Sequence, residues 1–266
     1  MASAGTGNDI PSCYAANKIK AAVPAVQTEV FVLIDQTTLL DASLQDSIRE
    51  NVGRLVKSGN AFVISSFSAF GQGRYLSVLN AGSLEANLTP EVRNEISVKL
   101  LRSFDGCMAS QVDFGRKMAA DAINTATANT SSALSKSDVM GSLKELSTRV
   151  KQSEAKDRIV FLVSDMLENS AISSFYANNN VRVIDPAAEL KKARDAQVVG
   201  DFGGARIFVL GAGLVQENVG GKFRDSGVYR SPKSMALLRQ FWEAYFVASQ
   251  AKLVEFGAPA LLAPVR

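Results

Sequence analysis

Residues 30–37 of the chain read Val30-Phe31-Val32-Leu33-Ile34-Asp35-Gln36-Thr37. A short, continuous apolar run of this kind is typical of a strand that is buried on both faces of a parallel sheet. A second stretch has the same form, Arg158-Ile159-Val160-Phe161-Leu162-Val163-Ser164-Asp165. The carboxyl ends of neighbouring strands line one crevice in an open parallel sheet. If these two strands are adjacent, we expect Asp35 and Asp165 to meet there, an arrangement that suits a hard divalent cation.

Strands and helices alternate outward from these two runs. Further strands are predicted at 61–67, 74–79, 206–210 and 252–256, and apolar residues at helical spacing lie between them. Helices are predicted around 44–56, 92–104, 110–126, 139–150 and 237–246, with another beginning at Asp185-Pro186 and a polar loop from Asn124 to Ser137. This order predicts an α/β fold with a doubly wound, mostly parallel central sheet that helices cover on both faces.

The predicted division of the chain has one domain. Residues 1–28 form an N-terminal arm, residues 29–256 form the domain, and residues 257–266 form a C-terminal tail. Two insertions enlarge the domain, at about 80–137 and 168–204.

Composition and net charge narrow the classes of protein that the chain can belong to. The 266 residues are 47% hydrophobic and 21% charged, as in an ordinary globular protein with a real core. A net charge of +3 gives no reason to expect nucleic acid as a partner, and no stretch has the length of a membrane span. The first residues contain no apolar run, so no signal peptide is expected there.

The chain contains no histidine. This excludes Ser-His-Asp and Cys-His catalysis and every metal site that depends on imidazole. A zinc hydrolase and a cysteine protease are therefore not expected.

The two cysteines, Cys13 and Cys107, allow two interpretations. They are either buried free thiols, which behave as small apolar side chains, or a disulfide that ties the N-terminal arm to the domain. A disulfide indicates an exported or periplasmic protein, whereas free thiols indicate the cytoplasm.

Three loops carry a resemblance to a known family. They read Asp35-Gln36-Thr37-Thr38-Leu39, then Ser137-Asp138-Val139-Met140-Gly141-Ser142-Leu143, then Ser164-Asp165. Together they resemble the metal-ion-dependent adhesion site of von Willebrand factor A-type domains, and the similarity covers about residues 29–256. That site combines an Asp-x-Ser-x-Ser signature after the first strand, a Thr ahead of a mid-chain helix, and an Asp after the fourth strand.

The match keeps two aspartates and two hydroxyls. Thr37 stands in place of the family's first serine and Ser137 in place of its threonine. The sequence departs from the family at Leu39, where the second serine belongs, and this loss should weaken metal binding unless Thr38 or water substitutes.

The resemblance implies a function and a set of ligands. The metal ligands would be Asp35, Thr37, Ser137 and Asp165, around Mg²⁺ or another divalent cation. A cation held by hydroxyls and few carboxylates stays electron-poor and takes a further anion. In this family that anion is commonly an Asp or Glu of a protein partner, so the resemblance implies a non-enzymatic protein-binding module within a larger assembly.

The same residues allow other interpretations. Asp35 and Asp165 could cap the helices that follow them, and Ser137 could be an ordinary N-cap. The domain could also be a metal-free scaffold of the same type. A third alternative is a phosphatase similar to the haloacid dehalogenases with Asp35 as nucleophile, although Thr37 replaces the second acid of its Asp-x-Asp-x-Thr motif.

Overall fold

The computed structural model describes residues 8–67, 76–128, 137–177, 180–219, 222–225 and 231–266. The strands within these ranges are β1 (Thr28–Asp35), β2 (Asn60–Phe67), β3 (Leu76–Ser83), β4 (Asp157–Val163), β5 (Tyr176–Ala177), β6 (Asn180–Val181), β7 (Arg206–Leu210), β8 (Gln216–Val219), β9 (Lys222–Asp225) and β10 (Lys252–Phe256). The helices are α1 (Cys13–Ala16), α2 (Ala42–Leu55), α3 (Pro90–Asn94), α4 (Val98–Ala128), α5 (Val139–Gln152), α6 (Pro186–Asp195) and α7 (Pro232–Ala248).

In the described part of the chain, six strands form the central sheet, in the order β10-β7-β4-β1-β2-β3. All neighbouring pairs are parallel except β2 and β3, which are antiparallel at one edge. β1 therefore lies between β4 and β2, in the middle of the sheet. The predicted α/β class with a mostly parallel sheet is confirmed.

Alternate residues of β1 enter two separate cores, because successive side chains of a strand point to opposite faces. Phe31 and Leu33 pack with α5 and α7, where the fully buried aromatic residues of α7 lie. Val30, Val32 and Ile34 pack on the other face with α2 and α4. Helices on both faces explain why the strand is apolar throughout. By the same alternation Asp35 belongs to the α5 side.

A third, smaller core joins the N-terminal arm to α4. Tyr14 stacks edge-to-face on Phe104 with ring centroids 5.1 Å apart, and Cys13 forms a disulfide with Cys107. Glu85 accepts hydrogen bonds from the Ser12 hydroxyl and the Cys13 amide, which fixes the start of α1. Of the two interpretations of the cysteines, the structure has the disulfide.

Two local predictions were wrong. The residues from 92 to 126 form the short α3 and then one continuous 31-residue helix, α4, rather than two helices of similar length. α4 also continues through Ala128, so the polar loop does not begin at Asn124; most of that predicted loop, and the start of the predicted strand at 74–79, lie outside the described residues.

No helix in the described part of the chain combines the length and the apolar character that a membrane crossing requires.

Candidate metal centre

Two carboxylates meet at the carboxyl ends of β1 and β4. Asp35 is the last residue of β1, and Asp165 lies two residues beyond the end of β4. The two strands pair in parallel up to Ile34 and Val163, so the residues that follow them emerge side by side. The Ser164 hydroxyl donates to Asp35 Oδ2 at 2.8 Å across this junction. The prediction that the two strand ends meet at one edge of the sheet is confirmed.

Asp35 accepts four hydrogen bonds from described residues. Its Oδ1 accepts from the Thr37 amide at 2.9 Å and the Thr37 hydroxyl at 2.6 Å. Its Oδ2 accepts from the Ser164 hydroxyl and, at 3.2 Å, from the Ser137 hydroxyl. Each hydroxyl has one proton to donate and two lone pairs. Asp35 therefore orients Thr37, Ser137 and Ser164 so that their lone pairs point away from it.

Asp165 is held by its own loop and by one distant side chain. Its Oδ1 accepts from the Leu167 amide at 2.8 Å, and its Oδ2 accepts from the Tyr176 phenol at 2.7 Å. Its backbone amide donates to Thr38 Oγ1 at 3.1 Å, which links the β1 and β4 loops directly. The Thr38 hydroxyl oxygen is thus already hydrogen-bonded to the backbone of Asp165.

Both carboxylates are buried, and no cation offsets their charge within the described residues. Asp35 is 0% exposed and Asp165 is 4% exposed. Burial raises the pKa of Asp35, and hydrogen bonds from Thr37, Ser164 and Ser137 oppose the rise. Burial, and then the charge of Asp35, raises the pKa of Asp165 to about 8. None of the ion pairs among described residues includes either group, so this cleft favours a positive charge or a bound proton.

Comparison with known proteins adds little to this geometry. No protein-family model matches the chain, and no curated protein matches it. The chain resembles the structure of an aerotolerance-related membrane protein from Bacteroides fragilis, with a TM-score of 0.37 and 10% identity, over 86% of this chain and 92% of that one. It also resembles the minor pilin PilB of Streptococcus sanguinis, with a TM-score of 0.43 and 12% identity, over 89% of this chain and 59% of the pilin.

A third structure is the N-terminal domain of TFIIH p34, with a TM-score of 0.33 and 11% identity, over 88% of this chain and 93% of that one. Similarities this remote do not indicate a shared function.

The helix-capping alternative for the two aspartates is wrong. α2 begins after Asp41, whose carboxylate accepts from the Leu44 amide, and α6 begins after Asp185. Asp35 and Asp165 instead accept from amides two residues ahead in irregular loops. Asp138, not Ser137, is the N-cap of α5, and this leaves the Ser137 hydroxyl to contact Asp35.

The donor set fits a hard divalent cation. Of the predicted ligands, Thr37 and Ser137 each donate to Asp35. Asp165 is linked to the same loop by its backbone amide, which donates to Thr38, and its carboxylate interacts electrostatically with Asp35. All the donors are oxygens, which Mg²⁺ prefers. The described residues contain no cluster of three or more His, Cys, Asp or Glu that could hold a metal, so any cation here would depend on hydroxyl ligands. Whether the four residues bind a metal stays a prediction.

Tyr176 is the site residue that the sequence analysis missed. It is the first residue of the two-residue strand β5, in a stretch after β4 whose sequence has no periodic pattern. No motif could have indicated its contact with Asp165.

Proposed function

We propose that this chain is a non-enzymatic protein-binding module similar to von Willebrand factor A-type domains, in which the Asp35–Asp165 cleft holds a divalent cation. One observation carries the proposal: Asp35 gathers the hydroxyls of Thr37, Ser137 and Ser164 beside a second buried carboxylate. Asp35, Thr37, Ser137 and Asp165 would hold the cation, and the Ser164 hydroxyl would orient Asp35. The cation would supply an electron-poor centre that takes a carboxylate of a partner protein.

The absence of an acid at position 37 argues for binding over phosphate hydrolysis. Thr37 donates both its amide and its hydroxyl to Asp35, so it supports that carboxylate and offers no general acid.

The disulfide indicates the kind of compartment in which the protein acts. Disulfides persist in oxidising compartments and are rare in reducing ones. The Cys13–Cys107 bond therefore supports a role outside the reducing cytoplasm, as an exported or periplasmic protein.

Thermal melting with and without Mg²⁺ or Mn²⁺ tests the metal half of the proposal. A ligand that binds only the native state raises its apparent stability. We expect millimolar metal to raise the Tm of the wild type and to leave the Tm of Asp35→Ala unchanged. Asp113→Asn, which alters an exposed carboxylate on α4, is the matched control and should respond as the wild type does. No shift in the wild type would favour a metal-free scaffold.

Capture of partners from the native source tests the binding half. The immobilised wild type should retain a protein in Mg²⁺ and release it in a chelator. Asp35→Asn should fail to retain it, and Asp113→Asn should retain it. Retention that persists in the chelator and in Asp35→Asn would place the binding surface elsewhere on the domain.

A further inference from the structure

Among the described residues, one side chain from outside the three loops enters the candidate metal centre. Tyr176 donates its phenol proton to Oδ2 of Asp165 at 2.7 Å. Burial raises the pKa of Tyr176, and the charges of Asp165 and then Asp35 raise it further. Since the other oxygen of Asp165 accepts from the Leu167 amide, Tyr176 takes the remaining one.

A short covering segment, residues 173–176, brings Tyr176 to this position. Phe175 anchors it: the ring is fully buried and packs edge-to-face on Phe241 with centroids 5.1 Å apart. The Phe175 amide donates to the Glu168 carbonyl at 2.8 Å, and its carbonyl accepts from the Arg182 amide at 2.8 Å. Tyr176 thus extends from a fixed core residue toward Asp165.

Glu189 of α6 fastens the same segment from the other side. One carboxylate oxygen accepts from the Ser173 hydroxyl at 2.6 Å, and the other accepts from Arg182 at 2.6 Å. Arg182 also donates to the carbonyl of Ser174 at 2.9 Å. Burial by itself would raise the pKa of Glu189, but hydrogen bonds from Ser173, Arg182 and Lys192 hold it below its ordinary value. Glu189 is therefore ionised and holds the covering segment through Ser173 and Arg182; this set of contacts is called the latch below.

We propose that Tyr176 is an internal ligand of the cleft, which occupies Oδ2 of Asp165 in place of a cation until the covering segment moves. This inference rests on the proposed cation site. An O–H group that points its proton at Oδ2 satisfies the negative charge that would attract a cation. The side chains around Oδ2 are shielded from solvent, because Asp35, Thr38, Ser137, Ser164 and Asp165 are each at most 5% exposed. A cation would therefore reach Oδ2 of Asp165 only after the covering segment moves.

The internal-ligand role predicts how single substitutions change metal affinity. Tyr176→Phe removes the donated proton and keeps the ring, and it should bind Mn²⁺ roughly tenfold more tightly than the wild type, the scale of one hydrogen bond to a charged group. Glu189→Gln loosens the latch without touching the cleft and should shift affinity in the same direction by less. Tyr14→Phe is the matched control, because it removes a phenol that donates to the Ala86 carbonyl in the third core; its affinity should equal that of the wild type.

Calorimetric titration of Mn²⁺ into these four proteins separates the outcomes. Tighter binding by Tyr176→Phe alone or with Glu189→Gln supports the internal ligand. Equal affinity in all four overturns the internal ligand and leaves the cation site intact. If none binds Mn²⁺, the proposed function fails and the internal ligand fails with it.

Hydrogen exchange gives a second readout that does not depend on the variants folding. Mg²⁺ should accelerate exchange of the Phe175 and Arg182 amides in the wild type, because their hydrogen bonds hold the covering segment in place. Unchanged exchange at saturating Mg²⁺ would show that the segment does not move when the cation binds, and would overturn the proposal.

Discussion

The indole Nε1 of Trp242 donates a hydrogen bond to the carbonyl of Met166 across 2.9 Å, directly beside Asp165. Met166 has a positive φ of 59°, a conformation that non-glycine residues adopt rarely, and the indole satisfies its buried carbonyl. Trp242 also lies 6.4 Å from the ring of Phe175, the anchor of the covering segment. One side chain of α7 therefore contacts both the loop of Asp165 and the neighbour of Tyr176.

This contact makes Trp242 a reporter of the candidate site, since the chain has a single tryptophan. We expect Mg²⁺ to change the intensity or wavelength of Trp242 emission, because any shift of Met166 or Phe175 alters the surroundings of the indole. Fluorescence titration of the wild type and Asp35→Asn checks this. An identical response in both proteins would show that the signal does not come from the site.

The buried Glu168 predicts a pH dependence of stability. Its side chain is 0% exposed, its Oε2 accepts from the Met140 amide, and burial raises its pKa to about 8. Between the ordinary pKa of a glutamate and pH 8, the native state therefore keeps the Glu168 proton, whereas the unfolded state has lost it. The resulting stabilisation is complete at a pH below the ordinary pKa of a glutamate and is lost as the pH rises toward 8. Each unit of difference between the native and unfolded pKa corresponds to about 1.4 kcal/mol in the free energy of unfolding.

Urea denaturation at pH 5 and pH 8 measures this effect. The free energy of unfolding of the wild type should fall over this interval. Glu168→Gln, which is neutral at both values, should show a smaller decline, with the remainder due in part to Asp165, whose pKa moves in the same direction. An equal fall in the free energy of unfolding between pH 5 and pH 8 in the wild type and in Glu168→Gln would contradict the assignment to Glu168.

Leu39 offers a gain-of-function prediction. It stands where the resembled family has a serine ligand, and the donor set lacks that oxygen. Leu39→Ser should strengthen Mn²⁺ binding on the order of tenfold, about 1.4 kcal/mol. Leu39→Ala removes the same apolar side chain without adding an oxygen and is the control. Equal affinities for the serine and alanine variants would mean that position 39 does not face the cation.

The disulfide predicts a redox dependence of stability. Cys13 and Cys107 are 94 residues apart, so their bond closes a long loop in the unfolded chain. Reduction should lower the free energy of unfolding by roughly 2–5 kcal/mol, and Cys13→Ser should abolish the response to reductant. Thiol titration of denatured, unreduced protein should find no free thiol. Two free thiols would contradict the bond.

The sheet could be predicted from sequence because its signals are local and redundant. The runs ending at Asp35 and Asp165 are apolar on both faces, and this pattern requires neighbours and covering helices on both sides. α4 was harder to predict, because Gly106 and Ser110 are exposed on its outer face and look like a break between two helices. The packing of one face along its length keeps it continuous.

The candidate site was only half predictable. Asp35, Thr37, Ser137 and Asp165 stand at strand and helix ends, where topology fixes positions in advance. Tyr176 reaches Asp165 through an irregular segment that is held by side chains as distant as Glu189. Such contacts depend on tertiary packing and leave no periodic pattern.

Equilibrium dialysis of Mn²⁺ against the chain at near-neutral pH measures whether the Asp35–Asp165 cleft holds a cation. We expect one bound ion per chain in the wild type and in Asp113→Asn, and none in Asp35→Asn when circular dichroism shows that variant to be folded. Absence of binding in the wild type, or full binding in folded Asp35→Asn, would contradict a cation held between Asp35 and Asp165.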